Sequence, residues 1–156
     1  MNSTINLRRI QAESKQLESL GKEYDQMFDI KMVADNMFHW QATIYGPIGT
    51  LYANYEFILD ITLPADYPKS PILVKFITPI QHININTAGD ICLDILKDKW
   101  IPALNITSVL ISIISLLGDP NPIDPLNSDL AGLYRTDMDK YEMVITDSCR
   151  KYAKRR

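Results

Sequence analysis

Among the residues of this chain, Cys92 has the richest chemical surroundings. The stretch QHININTAGDICLDILKDKW, residues 81–100, sets His82 and Asn84 upstream of it and Asp90 and Asp94 two residues away on either side. A metal site wants paired ligands at short spacing. Cys92 and Cys149 lie far apart and His39 falls in a strand-like pattern, so no metal is expected. Redox exchange wants a C-x-x-C pair, which the sequence does not contain. A cysteine protease wants a thiolate facing an imidazolium, whereas the neighbouring carboxylates work against a thiolate; His82 is the one candidate partner. From these residues alone, a protease nucleophile, a covalent acyl carrier and an inert core residue all stay open. Cys149, on the apolar side of a helical pattern, is expected to be a buried small hydrophobe, and His39, between Phe38 and Trp40, a structural histidine.

The elements that must hold Cys92 follow from the hydrophobic periods. STINLRRIQAESKQLESLG has apolar positions at Leu7, Ile10, Leu17 and Leu20, with Ser3 or Thr4 as caps and Gly21 as the stop; this predicts a helix with one apolar stripe. The period then changes to two. Phe28, Ile30 and Met32 alternate with polar residues, MFHWQATIYG follows, and Tyr55, Phe57, Leu59, Ile61 and Leu63 line one face of a third strand. ILVKFI is a fourth, short apolar run, and the connections suit an antiparallel meander. Residues 78–104 show no clean period, as expected of a functional loop, and Cys92 sits in it. NITSVLISIISLLGDP predicts a central buried helix capped by Asn105 and stopped at Gly118. After the proline-set turn DPNPIDPLN, two more helices are expected from about Ser128 and about Asp137. The second carries Tyr141, Val144, Ile145, Cys149 and Tyr152 on one side. The order is α+β: an N-terminal helix, a four-stranded antiparallel meander, a long loop, a central helix and two C-terminal helices.

The totals suit one domain over residues 1–156, and neither a repeat nor a low-complexity linker is visible. Apolar residues are 46% and charged residues 22% of the chain, a soluble globular balance. A net charge of −3 makes no case for nucleic acid, and the basic KYAKRR end reads as a solvated helix terminus. No apolar run is long enough to span a bilayer and the start MNSTINLRRI has no signal-peptide core, so no membrane partner is expected. Two isolated cysteines suit a reducing interior, the cytoplasm and/or the nucleus.

FHWQATIYGP, DYPKSP, the HIN…GDICLDIL…W.PAL series and LLGDPNP.DPLN together resemble the ubiquitin-conjugating enzymes, in particular their compact members, from Leu7 to Ala153 without large insertions. The resemblance implies the same α+β fold, with a cis peptide before the proline of DYP, here Tyr67–Pro68. It implies that Cys92 takes the C-terminal carboxyl of ubiquitin from an activating enzyme as a thioester. Cys92 then passes it to a lysine of a protein substrate, usually with a RING-type ligase. No cofactor is implied, because ATP is used upstream, and no Gly-rich phosphate loop is present. Asn84 matches the asparagine of the family's His-Pro-Asn motif, implying either an oxyanion donor or a brace for the loop. Asp124 matches the acidic residue beside the cysteine, implying that it orients the incoming amine and accepts its proton; the alternative is a helix cap. His82 and Asn121 are implied to be structural. Arg8, Arg9, Lys69 and the Ile101, Pro102 and Ala103 loop match the surface that meets the activating enzyme and ligases.

Two positions depart from the pattern. Ile83 replaces the motif's proline, restoring an N–H and freeing φ, so the loop carrying Asn84 is expected to be less rigid. Lys69 stands where many relatives carry an aromatic or apolar residue, which favours RING-type ligases over those that bury an aromatic there. A non-catalytic scaffold of this fold would lack the cysteine. A carrier of a different modifier is the remaining alternative, and the short CLDILKDKW, with no insertion after the cysteine, favours ubiquitin.

Overall fold

The computed structural model describes residues 2–156, with side chains described from Asn6 onward. Helix α1 (Asn2–Glu18) leads into strands β1 (Phe28–Val33), β2 (Asn36–Tyr45), β3 (Tyr55–Thr62) and β4 (Leu73–Phe76). Then come α2 (Ile106–Gly118), α3 (Ser128–Thr136), α4 (Met138–Tyr152) and a two-residue strand β5 (Lys154–Arg155). The long strands pair antiparallel in chain order, β1-β2-β3-β4, as the period-two pattern requires. Register places Trp40, Ala42 and Ile44 opposite Ile61, Leu59 and Phe57, and all six are buried. One face of the sheet is therefore a continuous apolar floor.

Helix α2 supplies Ile106, Val109, Leu110, Ile113, Ile114 and Leu117 to the buried core. Its Asn105 cap accepts from the Ser108 N–H at 2.8 Å, as expected. The expected starts of α3 and α4 also hold, capped by Asn127 and Asp137. The Tyr67–Pro68 peptide is cis.

Four details differ from the sequence reading. The stripe of α1 runs through Ile10, Glu13, Ser14 and Leu17, and Leu7 is exposed. Two polar residues thus occupy buried helical positions, which a search for apolar residues passes over. The expected cap at Ser3 or Thr4 lies outside the residues whose side chains are described. In β4, Leu73 is exposed while Val74 and Phe76 are buried, so the apolar run has only one inward face; Tyr152, expected on the buried side of α4, is half-exposed. The basic C-terminus is not only a solvated helix terminus: α4 stops at Tyr152 and the chain goes on as a strand. Because β4 covers β3 only from Leu59 to Thr62, the edge at Tyr55 and Glu56 is open, and β5 pairs there. Arg156 extends this seal, its N–H on the Asn54 carbonyl at 2.8 Å and its guanidinium 3.7 Å from the Tyr45 ring centre.

Candidate active site

The stretch that showed no period is a compact hairpin. Isolated bridges pair His82 with Ile85 and Ile85 with Ile91, and Asn86 closes the tip by accepting from the Ala88 and Asp90 N–H groups. Gly89 makes the turn possible: its φ is +89°, and a Cβ there would lie 2.2 Å from the Phe76 carbonyl oxygen. The returning strand brings the Cys92 N–H onto the Asn84 carbonyl at 2.8 Å. A one-turn 3-10 helix, Asp94–Leu96, then folds the chain back past the thiol.

Three layers hold this hairpin against the helices. His82 is buried, its Nε2–H donating to the Leu116 carbonyl at 2.8 Å and its Nδ1 accepting from the Asn84 N–H at 2.9 Å. Burial pulls its pKa down to about 4, opposed by the bond to Leu116, so the ring is neutral and both nitrogens are used in holding the chain. Ile83 is wholly buried, and its carbonyl accepts from the Leu126 and Asn127 N–H groups at 2.9 and 3.0 Å. Where the sequence resemblance implies a proline ring, this chain therefore places a wholly buried isoleucine side chain.

Asn84 ties this hairpin to the turn before α3. Its Oδ1 accepts from the Asn121 N–H at 2.8 Å, and its Nδ2 donates to the carbonyls of Asn121 (2.8 Å) and Asp124 (3.2 Å). Both amide hydrogens are thus engaged in bracing. Asn121 in turn accepts on its side chain from the Ile123 N–H. Asp124 is not a helix cap, since Asn127 caps α3. Held by this tie, the Asp124 carboxylate comes within 3.6 Å of Cys92 Sγ.

Cys92 is half-buried in a shallow cleft lined by Asp94, Lys97, Leu116, Asn121 and Asp124. The Lys97 ammonium lies 3.7 Å from its sulfur. Lys97 went unnoticed in the sequence, where LKDKW looks like an ordinary solvated charge run. The sulfur thus has both a carboxylate and an ammonium within 4 Å. Cys149 is buried, and burial raises its pKa to about 11. His39 bonds Asp60 at 2.6 Å on the sheet.

The expected docking residues lie on α1 and on the two loops that it and Trp100 join. Arg8, Lys69, Ile101, Pro102 and Ala103 are exposed. Arg9 plays a different part, its guanidinium donating to the Pro102 and Leu104 carbonyls at 2.7 Å each. Trp100 Nε1–H donates to the Pro68 carbonyl at 2.8 Å, joining the two loops. Glu13, also missed in the sequence, is buried beneath them. It accepts from the Ile106 N–H at 2.7 Å and from the Tyr67 hydroxyl.

The family model described as ubiquitin-conjugating enzyme matches residues 9–149. This chain belongs to the ubiquitin-conjugating enzyme family. It is 52% identical over 155 residues to a probable ubiquitin-conjugating enzyme of Acanthamoeba polyphaga mimivirus, covering 99% of this chain and 98% of the relative. Among solved structures, it resembles a Plasmodium yoelii protein assigned to the ubiquitin-conjugating enzymes (TM-score 0.85, 39% identity, 95% of each chain). It is equally similar in fold to a ubiquitin-conjugating enzyme domain from Toxoplasma gondii (TM-score 0.85, 36% identity, 95% of this chain and 99% of that one). Membership of a ubiquitin-conjugating family makes a transferase the class of this protein, and its α+β meander with four helices is the family's fold.

Proposed function

We propose that Cys92 accepts ubiquitin from an activating enzyme as a thioester and delivers it to a lysine of a protein substrate, with a RING-type ligase holding the two together. The observation that carries this reading is a half-buried thiol at the mouth of a cleft with the Asp124 carboxylate 3.6 Å from its sulfur. Acyl exchange between two thiols is nearly balanced in free energy, so loading needs an accessible sulfur and little else on this chain. ATP is used upstream, and no cofactor is assigned here. A carrier thiol must stay reduced, which suits the cytoplasm and/or the nucleus.

Discharge asks more of the site. The amine attacks the thioester carbonyl, negative charge develops on its oxygen, and a proton must leave the nitrogen. Asp124 stands where it can orient the amine and take that proton. Asn84 keeps Asp124 there. For Asn84 also to donate to the developing oxyanion, one amide hydrogen must leave a carbonyl, and the longer bond, to Asp124 at 3.2 Å, is the one to release. The exposed Arg8, Lys69 and Ile101–Ala103 surface is the proposed docking face for the activating enzyme and ligase. Arg9 belongs to it as the strut beneath the loop.

Incubation with ubiquitin, activating enzyme and ATP, resolved on a non-reducing gel, tests the reading. A band of chain plus ubiquitin that vanishes with thiol is expected. Cys92→Ser should leave at most a thiol-resistant oxyester, while Cys149→Ser should still charge. Loss of the adduct in Cys149→Ser but not in Cys92→Ser would overturn the assignment.

A further inference from the structure

We infer that Lys97 is a catalytic residue of lysine discharge: its ammonium is the donor that meets the negative charge developing on the thioester oxygen. This rests on the thioester reading above and concerns which group serves its transition state. The cleft is acidic, for its lining residues include three carboxylates, Asp94, Asp98 and Asp124, and one cation, Lys97. An oxyanion formed among carboxylates is opposed by their field, so a positive donor must stand against it. Asn84 is spent on bracing. Both its amide hydrogens lie on the Asn121 and Asp124 carbonyls, and its own carbonyl holds the Cys92 N–H. Lys97, by contrast, is aimed at the reacting atoms. The 3-10 turn Asp94–Leu96, continued by the Lys97 N–H on the Asp94 carbonyl at 3.0 Å, folds the chain so that Nζ lies 3.7 Å from Sγ. Among the described residues it enters no ion pair that would hold it elsewhere.

The carbonyl oxygen of a thioester is two bonds from Sγ, so an ammonium in contact with the sulfur reaches that oxygen by rotation about its flexible stem. The neutral amine of the acceptor forms a C–N bond to the acyl carbon, and the π pair of the carbonyl moves onto oxygen, where Lys97 donates to it. The carbonyl then re-forms and the C–S bond breaks, its electron pair going to Sγ. The proton leaving the nitrogen passes to Asp124, 3.6 Å from the sulfur, and one proton returns to the thiolate. Lys97 keeps its own protons throughout, donating first to the oxyanion and then to the departing sulfur. Asn84 need not release the Asp124 carbonyl for this. A bystander cation would act with the opposite sign. It would repel the lysine ammonium on its way in, and its removal would speed discharge.

The test uses the full chain. It is charged with ubiquitin, and the activating enzyme is then stopped by chelating magnesium. Formation of the ubiquitin–lysine product from the thioester already made is followed over a range of lysine concentrations, so the speed of charging does not enter. K97M should lower the rate at saturating lysine at least about tenfold, with the half-saturating lysine concentration unchanged or lower. K97R, which keeps a cationic donor, should recover most of that rate. Raising the ionic strength should slow the unaltered chain by a larger factor than K97M, because the charge on an exposed ammonium is screened. If the thioester never forms on the unaltered chain, the proposed function itself fails. If it forms, the role of Lys97 is overturned by a K97M rate equal to or above that of the unaltered chain, by a loss confined to the half-saturating concentration, or by K97R no faster than K97M. Equal salt dependence in the unaltered chain and K97M would overturn it too. A melting curve identifies a misfolded K97M, and K97Q is then read in its place.

Discussion

Asn84, His82 and Cys92 show how few side chains touch the reacting atoms and how many serve to hold them. Asn84 spends its whole amide on the turn carrying Asp124, so its removal should act through Asp124. Asn84→Ala leaves an N–H and two carbonyls without their partner, a loss of about 1–3 kcal/mol in stability. It should also slow lysine discharge more than charging. In a double-mutant cycle with Asp124→Ala, single-turnover discharge should be strongly non-additive, because the second change removes what the first had displaced. Additive rate losses would instead give Asn84 an independent role at the oxyanion. His82 carries a pH signature. Its folded pKa of about 4 lies below the unfolded value of 6.5, so the unfolded chain binds the proton first as pH falls. The stability contribution is complete above pH 6.5 and is lost from there down to about 4. The total is on the order of 3 kcal/mol, and below 4 the loss from this group levels off. Denaturant titrations of His82→Gln between pH 7 and 4 should show a flatter slope than the unaltered protein. Parallel slopes would place the acid sensitivity elsewhere.

At the scale of elements, the loop from β4 to α2 does the positioning, and Ile83 is its least usual member. The sequence suggests that a proline there would stiffen the hairpin. The structure shows what surrounds isoleucine: a wholly buried side chain, and a carbonyl that receives two N–H groups from the turn just before α3. Proline keeps that carbonyl but fills less of the pocket, and it restricts His82, whose ring is engaged on both nitrogens. The entropic benefit of proline, roughly 0.4–1 kcal/mol, is smaller than the cost of truncating a buried branched side chain. Ile83→Pro is therefore expected to lower stability by roughly 1–3 kcal/mol and to slow discharge. A calorimetric melt together with single-turnover discharge checks both. A higher melting temperature with faster discharge would show that the ring's rigidity outweighs the packing.

Across the whole molecule, three segments distant in sequence meet at Glu13. The α1 carboxylate accepts from the first N–H of α2 and from the Tyr67 hydroxyl beside the cis proline, while Arg9 reaches the Pro102 and Leu104 carbonyls above it. The phenol of Tyr67 is raised well above its ordinary pKa, first by burial and then by this carboxylate. Glu13→Ala leaves a buried N–H and hydroxyl unpaired and removes the charge facing Arg9, a cost of about 2–4 kcal/mol. Since the proposed docking loop hangs from Arg9, the same change should also weaken loading by the activating enzyme, measured as a rise in the enzyme concentration giving half-maximal charging. Glu13→Gln, which keeps an acceptor, should recover part of both. A normal charging curve in a destabilised Glu13→Ala would show that the loop stands without the strut.

The sequence by itself determined the four helices, the four long strands and their order. Period two from Phe28 to Leu63, the nearly all-apolar run of α2, its cap Asn105 and the start of α3 near Ser128 are local signals, each legible within a turn or a strand. The rare motifs around Cys92 did the same for the family. What only the tertiary structure decided are meetings between residues that no local period connects. The fold brings Asp124 to the sulfur, Asn84 to the turn before α3, and Glu13 to the head of α2. It also lays the C-terminal residues against the one stretch of β3 that β4 leaves unpaired. Hydrophobic patterning records which way a residue faces, but a polar side chain is placed by the partner it finds, and that partner arrives only when the chain has closed.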